Sequence, residues 1–162
     1  MLKTSVLFGL FLLAVAFVAC KKEVPYDQAK ELEIDDEMIV KYMADSNVTL
    51  TKHSSGLYYN IINPGTGTDV TNTDTIYAKY TLKVLRDSVV RAKSQDSTFK
   101  FMLPGYIEGW KIGVGLIKSG GQIRMVIPSA LGYQQRPVTS PVIPPNSILD
   151  ITLSIVKIRK PQ

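Results

Sequence analysis

Two segments restrict this chain more than any others: Thr75 to Leu85 and Ile148 to Ile158. In the first, Ile76, Ala78, Tyr80, Leu82 and Val84 alternate with Tyr77, Lys79, Thr81 and Lys83. In the second, Leu149, Ile151, Leu153 and Ile155 alternate with Asp150, Thr152 and Ser154. A period of two sends alternate side chains to opposite faces, so each segment is a strand with one buried face. The phase slips at Val156 and Ile158, which predicts a bulge or a change of covering. Leu57 to Ile62, Phe99 to Leu103 and Gln122 to Ile127 read as three further strands, with Leu57, Tyr59 and Ile61 on one face. Asn63-Pro64-Gly65-Thr66-Gly67 is turn chemistry after the first of these. Before the fourth strand, Tyr106 to Ser119 places Ile107, Trp110, Val114 and Ile117 on one helical face and stops at Ser119-Gly120-Gly121. Several strands and one intervening helix predict an α+β domain, with the helix covering one face of an antiparallel sheet.

The first twenty residues carry a different signal. Lys3 is the only charge before Val6 to Ala19, an apolar stretch too short to span a bilayer comfortably but suited to a signal-peptide core. It ends Phe17-Val18-Ala19-Cys20, which resembles a bacterial lipobox with phenylalanine where leucine is commoner. That resemblance implies a signal peptide over residues 1–19, cleavage before Cys20 and a lipid on its sulfur. Each buried methylene contributes about 0.8 kcal/mol, so two or three acyl chains hold a protein on a membrane. The expected location is the bacterial cell envelope, at the outer membrane facing the periplasm.

Residues 20–54 read as the lipidated cysteine, a tether and an acidic amphipathic helix. Pro25 marks the tether, and Gln28 to Asn47 carries Leu32, Ile34, Met38, Ile39, Tyr42 and Met43. The last four recur at the spacing of one helical face. Asp35 or Asp36 is a candidate cap, and Ser46-Asn47 a stop. Such an arm is a docking or dimerisation element, or a helix packed on its own domain, or a stiff spacer. Residues 21–45 hold four Lys against eight Asp and Glu, whereas residues 46–162 hold fourteen Lys and Arg against six. No nucleic-acid-binding signature accompanies the basic part, so nucleic acid is not an expected partner. With one cysteine, Cys20, and one histidine, His53, neither an internal disulfide nor a Cys/His metal cluster can form.

Eight blocks, in order, resemble the FKBP-type peptidyl-prolyl cis-trans isomerases over residues 55–159. They are Ser55-Gly56-Leu57-Tyr58-Tyr59, Pro64-Gly65-Thr66-Gly67, Ala78-Lys79-Tyr80-Thr81 and Phe99-Lys100-Phe101-Met102-Leu103. Tyr106-Ile107-Glu108-Gly109-Trp110, Gly121-Gln122-Ile123-Arg124, Ile127-Pro128 through Tyr133, and Val142-Ile143-Pro144-Pro145 through Leu149 follow. The resemblance implies a strongly bent antiparallel β-sheet wrapped around one short α-helix.

It also implies an activity: isomerisation of prolyl bonds in proline-containing segments of exported proteins. The barrier to peptide rotation is about 18–20 kcal/mol, and only the bond before proline populates cis appreciably. An apolar cavity that favours the twisted amide over either planar isomer lowers that barrier without nucleophile, metal or cofactor. By position, the catalytic set is Tyr80, Ile107, Trp110 and Tyr133. Trp110 is the floor, while the Ile107 N–H and the Tyr133 hydroxyl bind substrate carbonyls. Phe99, Tyr106, Ile143 and Ile151 line the substrate site, with Arg91 at its rim. Arg91 and Ala92 stand where the family has a phenylalanine and an aspartate, and Gly105 stands where an acidic residue is common. Those departures imply weakened catalysis, or a peptide-binding module that keeps the groove without the enzyme. A structural lipoprotein with a filled groove is the third reading.

Overall fold

A computed structural model describes residues 25–94 and 99–161. The stretch expected to be a signal peptide, residues 1–19, and Cys20 lie outside the described residues. Helix α1 (Gln28–Ser46) leads into strands β1 (Thr51–Lys52), β2 (Tyr58–Asn63), β3 (Thr75–Val84), β4 (Val90–Lys93) and β5 (Phe99–Phe101). Helix α2 (Glu108–Gly115), β6 (Gln122–Ile127), β7 (Val138–Thr139), β8 (Val142–Ile143) and β9 (Leu149–Arg159) complete the order. Seven strands form one sheet in the order β1-β2-β6-β9-β3-β4, with β5 also paired to β3. Every pairing in it is antiparallel, so the α+β architecture read from the alternation is the observed one.

The two strongly alternating segments pair with each other. β3 and β9 run from Thr75↔Arg159 to Val84↔Leu149, and Ile155 and Lys157 face Ala78 and Tyr77 with Val156 left over. The phase slip is therefore a bulge, and Val156 is half exposed while Ile155 is buried. Leu149, Ile151, Leu153 and Ile155 bury against the concave face with Ile76, Ala78 and Leu82.

Helix α2 fills that concave face because two glycines allow it to. A Cβ on Gly109 would stand 2.3 Å from Ile127 Cγ2, and one on Gly113 would stand 2.1 Å from Met125 Sδ. Trp110, Val114 and Ile117 then bury as the 3.6-residue spacing predicts. The helix is shorter than its sequence pattern, since Leu103–Gly105 forms a 3₁₀ turn and Tyr106 is extended before it.

The other face of the sheet is also covered, which the reading of β2 did not anticipate. Tyr58 is buried in a second cluster with Ile39, Leu50, Leu85, Val126 and Ile148. Ile61, expected on a buried face, is 37% exposed. The covering element is α1, whose cap is Asp27 rather than Asp35 or Asp36. The Asp27 side chain accepts from Ala29 N–H and Lys30 N–H at 3.1 Å each, and Asn47 ends the helix in the left-handed region. Met38, assigned to the apolar face, is half exposed. The inward face holds Leu32, Asp35, Ile39, Tyr42 and Met43 instead. Asp35 tolerates burial because Ser129 satisfies it with two hydrogen bonds. Around this seat, Tyr58 donates to Asp36 at 2.6 Å and Lys52 pairs with the same carboxylate at 2.5 Å. Arg124 donates to both oxygens of Asp150 and to the Tyr42 hydroxyl.

Two predictions follow from this packing. Ile127 is β-branched and fully buried, so Gly109→Ala has no soft neighbour and should destabilise the fold by about 1–3 kcal/mol in urea titration. The hydrogen bonds from Lys52 and then Tyr58 hold the Asp36 carboxyl below its usual range. A depressed folded-state value gives stability that is present above the unfolded value and lost as pH falls through the folded one. Asp74 and Asp87 are held low as well, so the check is a difference: Asp36→Asn should show a shallower loss of urea midpoint on acidification than wild type.

Candidate functional site

The described site gathers around Trp110, which is 4% exposed. The 3₁₀ turn and the extended Tyr106 bring the chain to the mouth of the concave face, and Ile107 opens α2 there. The Ile107 carbonyl accepts from the N–H groups of Trp110 and Lys111 at 3.1 and 3.2 Å. Its own N–H makes no backbone hydrogen bond among the described residues, as expected at a helix start. Trp110 lies one turn in and points down onto the sheet.

Three rings bracket the indole. Tyr106 stacks on it at 5.4 Å between centroids, while Tyr80 and Phe101 meet it edge-on at 5.5 Å each. Phe99 extends the group, 5.1 Å from Tyr80 and 6.1 Å from Tyr106. Edge-to-face and offset contacts of this kind stabilise by about 0.5–1.5 kcal/mol each beyond area burial, so the floor is rigid. Phe101 was read only as part of a strand. The signal that could have found it is the period of two, which puts it on the same face as Phe99.

The remaining residues divide by exposure. Ile143, on β8, and Ile151, on β9, are 1% and 0% exposed and pack in the same cluster as Trp110. Tyr80, Phe99, Tyr106, Ile107 and Tyr133 pack against that cluster while keeping part of their surface open. Tyr133 arrives on the loop after the 3₁₀ turn Ser129–Leu131. Arg91 behaves differently from the rest. It lies on β4, where its neighbour Ala92 faces Leu82 and packs on the core. The Arg91 guanidinium bonds to Asp87, and its side chain is about a quarter exposed rather than turned out to water.

The electrostatics are those of an uncharged site. Burial pushes the hydroxyls of Tyr80, Tyr106 and Tyr133 above the usual phenol range. Tyr80 and Tyr133 oppose ionisation of Tyr106, and Tyr80 opposes that of Tyr133. All three are therefore neutral O–H donors at physiological pH. The Trp110 Nε1–H is buried and has no partner among the described residues. No group of three or more His, Cys, Asp or Glu gathers among the described residues. A groove of about 580 Å³ is lined by Tyr80 together with Lys79, Thr81, Lys93, Ser94, Gln122, Thr152 and Ser154, so its lining is mostly polar.

The model of the FKBP-type peptidyl-prolyl cis-trans isomerase family matches residues 67–156. A Haemophilus influenzae protein described as a probable FKBP-type peptidyl-prolyl cis-trans isomerase is 32% identical over 145 residues, which is 89% of this chain and 58% of that one. Escherichia coli K12 FkpA, an FKBP-type peptidyl-prolyl cis-trans isomerase, is 32% identical over 112 residues, 65% of this chain and 39% of its own. This chain thus spans less than two thirds of the length of either relative. The crystal structure of Escherichia coli FkpA is similar with a TM-score of 0.67 at 27% identity, covering 82% of this chain and 63% of that one. AtFKBP13 is similar in fold, with a TM-score of 0.61 at 23% identity over 68% of this chain and 99% of its own. Since the family model matches more than half of the residues, this chain belongs to the FKBP-type peptidyl-prolyl cis-trans isomerase family.

Proposed function

We propose that this chain is a peptidyl-prolyl cis-trans isomerase of the bacterial cell envelope, acting on proline-containing segments of exported proteins. The observation that carries the reading is the rigid aromatic floor at Trp110, bordered by neutral hydroxyl donors. A proline ring seated on the indole leaves its amide among Tyr80, Tyr106, Ile107 and Tyr133. Twisting that amide removes resonance and localises its charge differently from either planar form. The Ile107 N–H and the Tyr133 hydroxyl, as carbonyl donors, hold the flanking peptide so that the twisted geometry is bound better than the planar one. Phe99 and Tyr106 form the wall, with Ile143 and Ile151 packed beneath. Arg91 takes a smaller part, because its guanidinium is paired with Asp87.

A second reading, peptide capture without catalysis, is favoured by one feature: Arg91 and Ala92 occupy the rim in place of an aromatic and a carboxylate. The two readings separate in an isomerase assay on a proline tetrapeptide. Trp110→Leu removes three ring contacts, each worth about 0.5–1.5 kcal/mol, and should lower kcat/KM by at least about tenfold. Tyr133→Phe deletes one donor and should cost about threefold to tenfold with the fold intact by circular dichroism. Peptide binding with no isomerisation in the wild type selects the capture module, and unchanged rates in both variants reject the site.

The envelope location rests on Val6 to Cys20, where an apolar run ends at the chain's one cysteine. Lipid on Cys20 anchors the domain at the outer membrane, facing the periplasm. Cys20→Ser should abolish acyl-label incorporation and release the protein from membranes, measured by labelled-palmitate uptake and fractionation. Label at the wild-type level in that variant rejects the anchor.

A further inference from the structure

Asp35 sits in the middle of α1 and is 2% exposed, yet it touches the loop that carries Tyr133. Its Oδ2 accepts from the Ser129 N–H at 2.6 Å and from the Ser129 hydroxyl at 2.7 Å. Ser129 itself is fully buried. Its carbonyl accepts in turn from the N–H groups of Gly132 at 2.9 Å and Gln134 at 3.0 Å. Those two residues bracket Tyr133. The Gln134 carbonyl then accepts from the Asn146 N–H at 2.8 Å, which ties the loop to the segment entering β9. One serine is thus held on one side by the helix and holds both flanks of the tyrosine on the other.

We propose that Asp35 is a positioning residue for catalysis, fixing the Tyr133 hydroxyl through Ser129. The inference rests on the reading of Tyr133 as a donor to the substrate carbonyl. Two features distinguish this contact from ordinary packing of α1. The helix seat is already supplied by Ile39, Tyr42 and Met43 against Tyr58, Val126 and Ile148. A helix serving only as a cover would put an apolar residue at position 35, because burying a carboxylate is costly unless it is fully bonded. A pair of hydrogen bonds at one serine fixes direction where apolar contact does not.

The test uses the full chain and a double-mutant cycle. Asp35→Ala should lower kcat/KM on a proline tetrapeptide by no more than the roughly threefold to tenfold expected of Tyr133→Phe, and adding it to Tyr133→Phe should lower the rate no further than Tyr133→Phe alone. Asp35→Asn keeps an acceptor oxygen for Ser129 and should recover most of the activity. Ile39→Ala is the control: it weakens the helix seat and the melting temperature but should leave kcat/KM near wild type. Losses from Asp35→Ala and Tyr133→Phe that multiply, or a folded Asp35→Ala protein with wild-type kcat/KM, overturn the proposal. If Asp35→Ala does not fold, the same cycle with Ser129→Ala decides it by the same criteria. A second readout is independent of turnover: hydrogen exchange at the Gly132 and Gln134 amides should quicken in Asp35→Ala while the Ile123 and Leu153 amides hold. Unchanged protection there overturns the positioning role. A wild type without isomerase activity would reject the proposed function, and the exchange experiment would still decide whether Asp35 holds the loop.

Discussion

The site depends on how closely α2 approaches β6. Gly109 faces the branched Ile127 at a separation that no side chain could occupy, and Gly113 faces the Met125 thioether at a separation that a side chain could occupy only if Met125 moved. Only at that distance does Trp110, next to Gly109, come down among Tyr80 on β3 and Phe101 on β5. A helix even one methyl group further out would lift the indole from the sheet and open the floor to water. The glycines weaken α2 as an isolated helix by roughly 1 kcal/mol each. Tertiary packing offsets this, because the apolar face of a helix this short is worth more buried than its intrinsic propensity is worth.

That approach requires a curved sheet, and the curvature has its own sources. The extra residue Val156 in β9 and the register shift in β3–β4 at Leu82/Lys83 both sharpen local twist. The same strands carry Tyr80, Ala92 and Ile151 toward the concave side. Bending therefore does two things together: it makes room for α2 and it brings rings from two strands, β3 and β5, and from a helix start to one place.

Much of this was legible in the residues, and the reasons for the exceptions are specific. The alternation in β3 and β9 depends on a water-facing side, so it survives in the sequence as a strict period of two. β2 has no such side at its start, because α1 covers Tyr58 while the sheet core covers Leu57. The pattern there reads as one face only if the second covering element is known. In α1 the inward stripe contains a carboxylate, and a reading by hydropathy cannot place Asp35 inside without knowing of Ser129 almost a hundred residues later. β1, β4, β7 and β8 are two to four residues long, too short to establish a period. The site was legible where a motif spans a helix start, as at Tyr106 to Trp110. Phe101 was missed, since its neighbours suggested only a strand.

The division of charge in the chain acquires a structural meaning from these contacts. The acidic helix α1 is tied to the domain, for Asp36 meets Lys52, Asp45 meets Arg86, and Tyr42 meets Arg124. Its charges are thus directed at the basic domain behind it. Exposed pairs of this kind contribute little each and are screened by salt. They are poorly suited to holding a helix rigidly, but well suited to steering it onto the right face before the apolar contacts at Ile39 close. Asp35, the acidic residue of α1 that is buried, is the exception. It makes no ion pair and instead reaches the backbone of the loop beside the aromatic floor. The helix therefore meets the domain through two kinds of contact, screened pairs that choose the face and unscreened bonds that choose the register. Only the second kind is placed to affect the geometry of Tyr133.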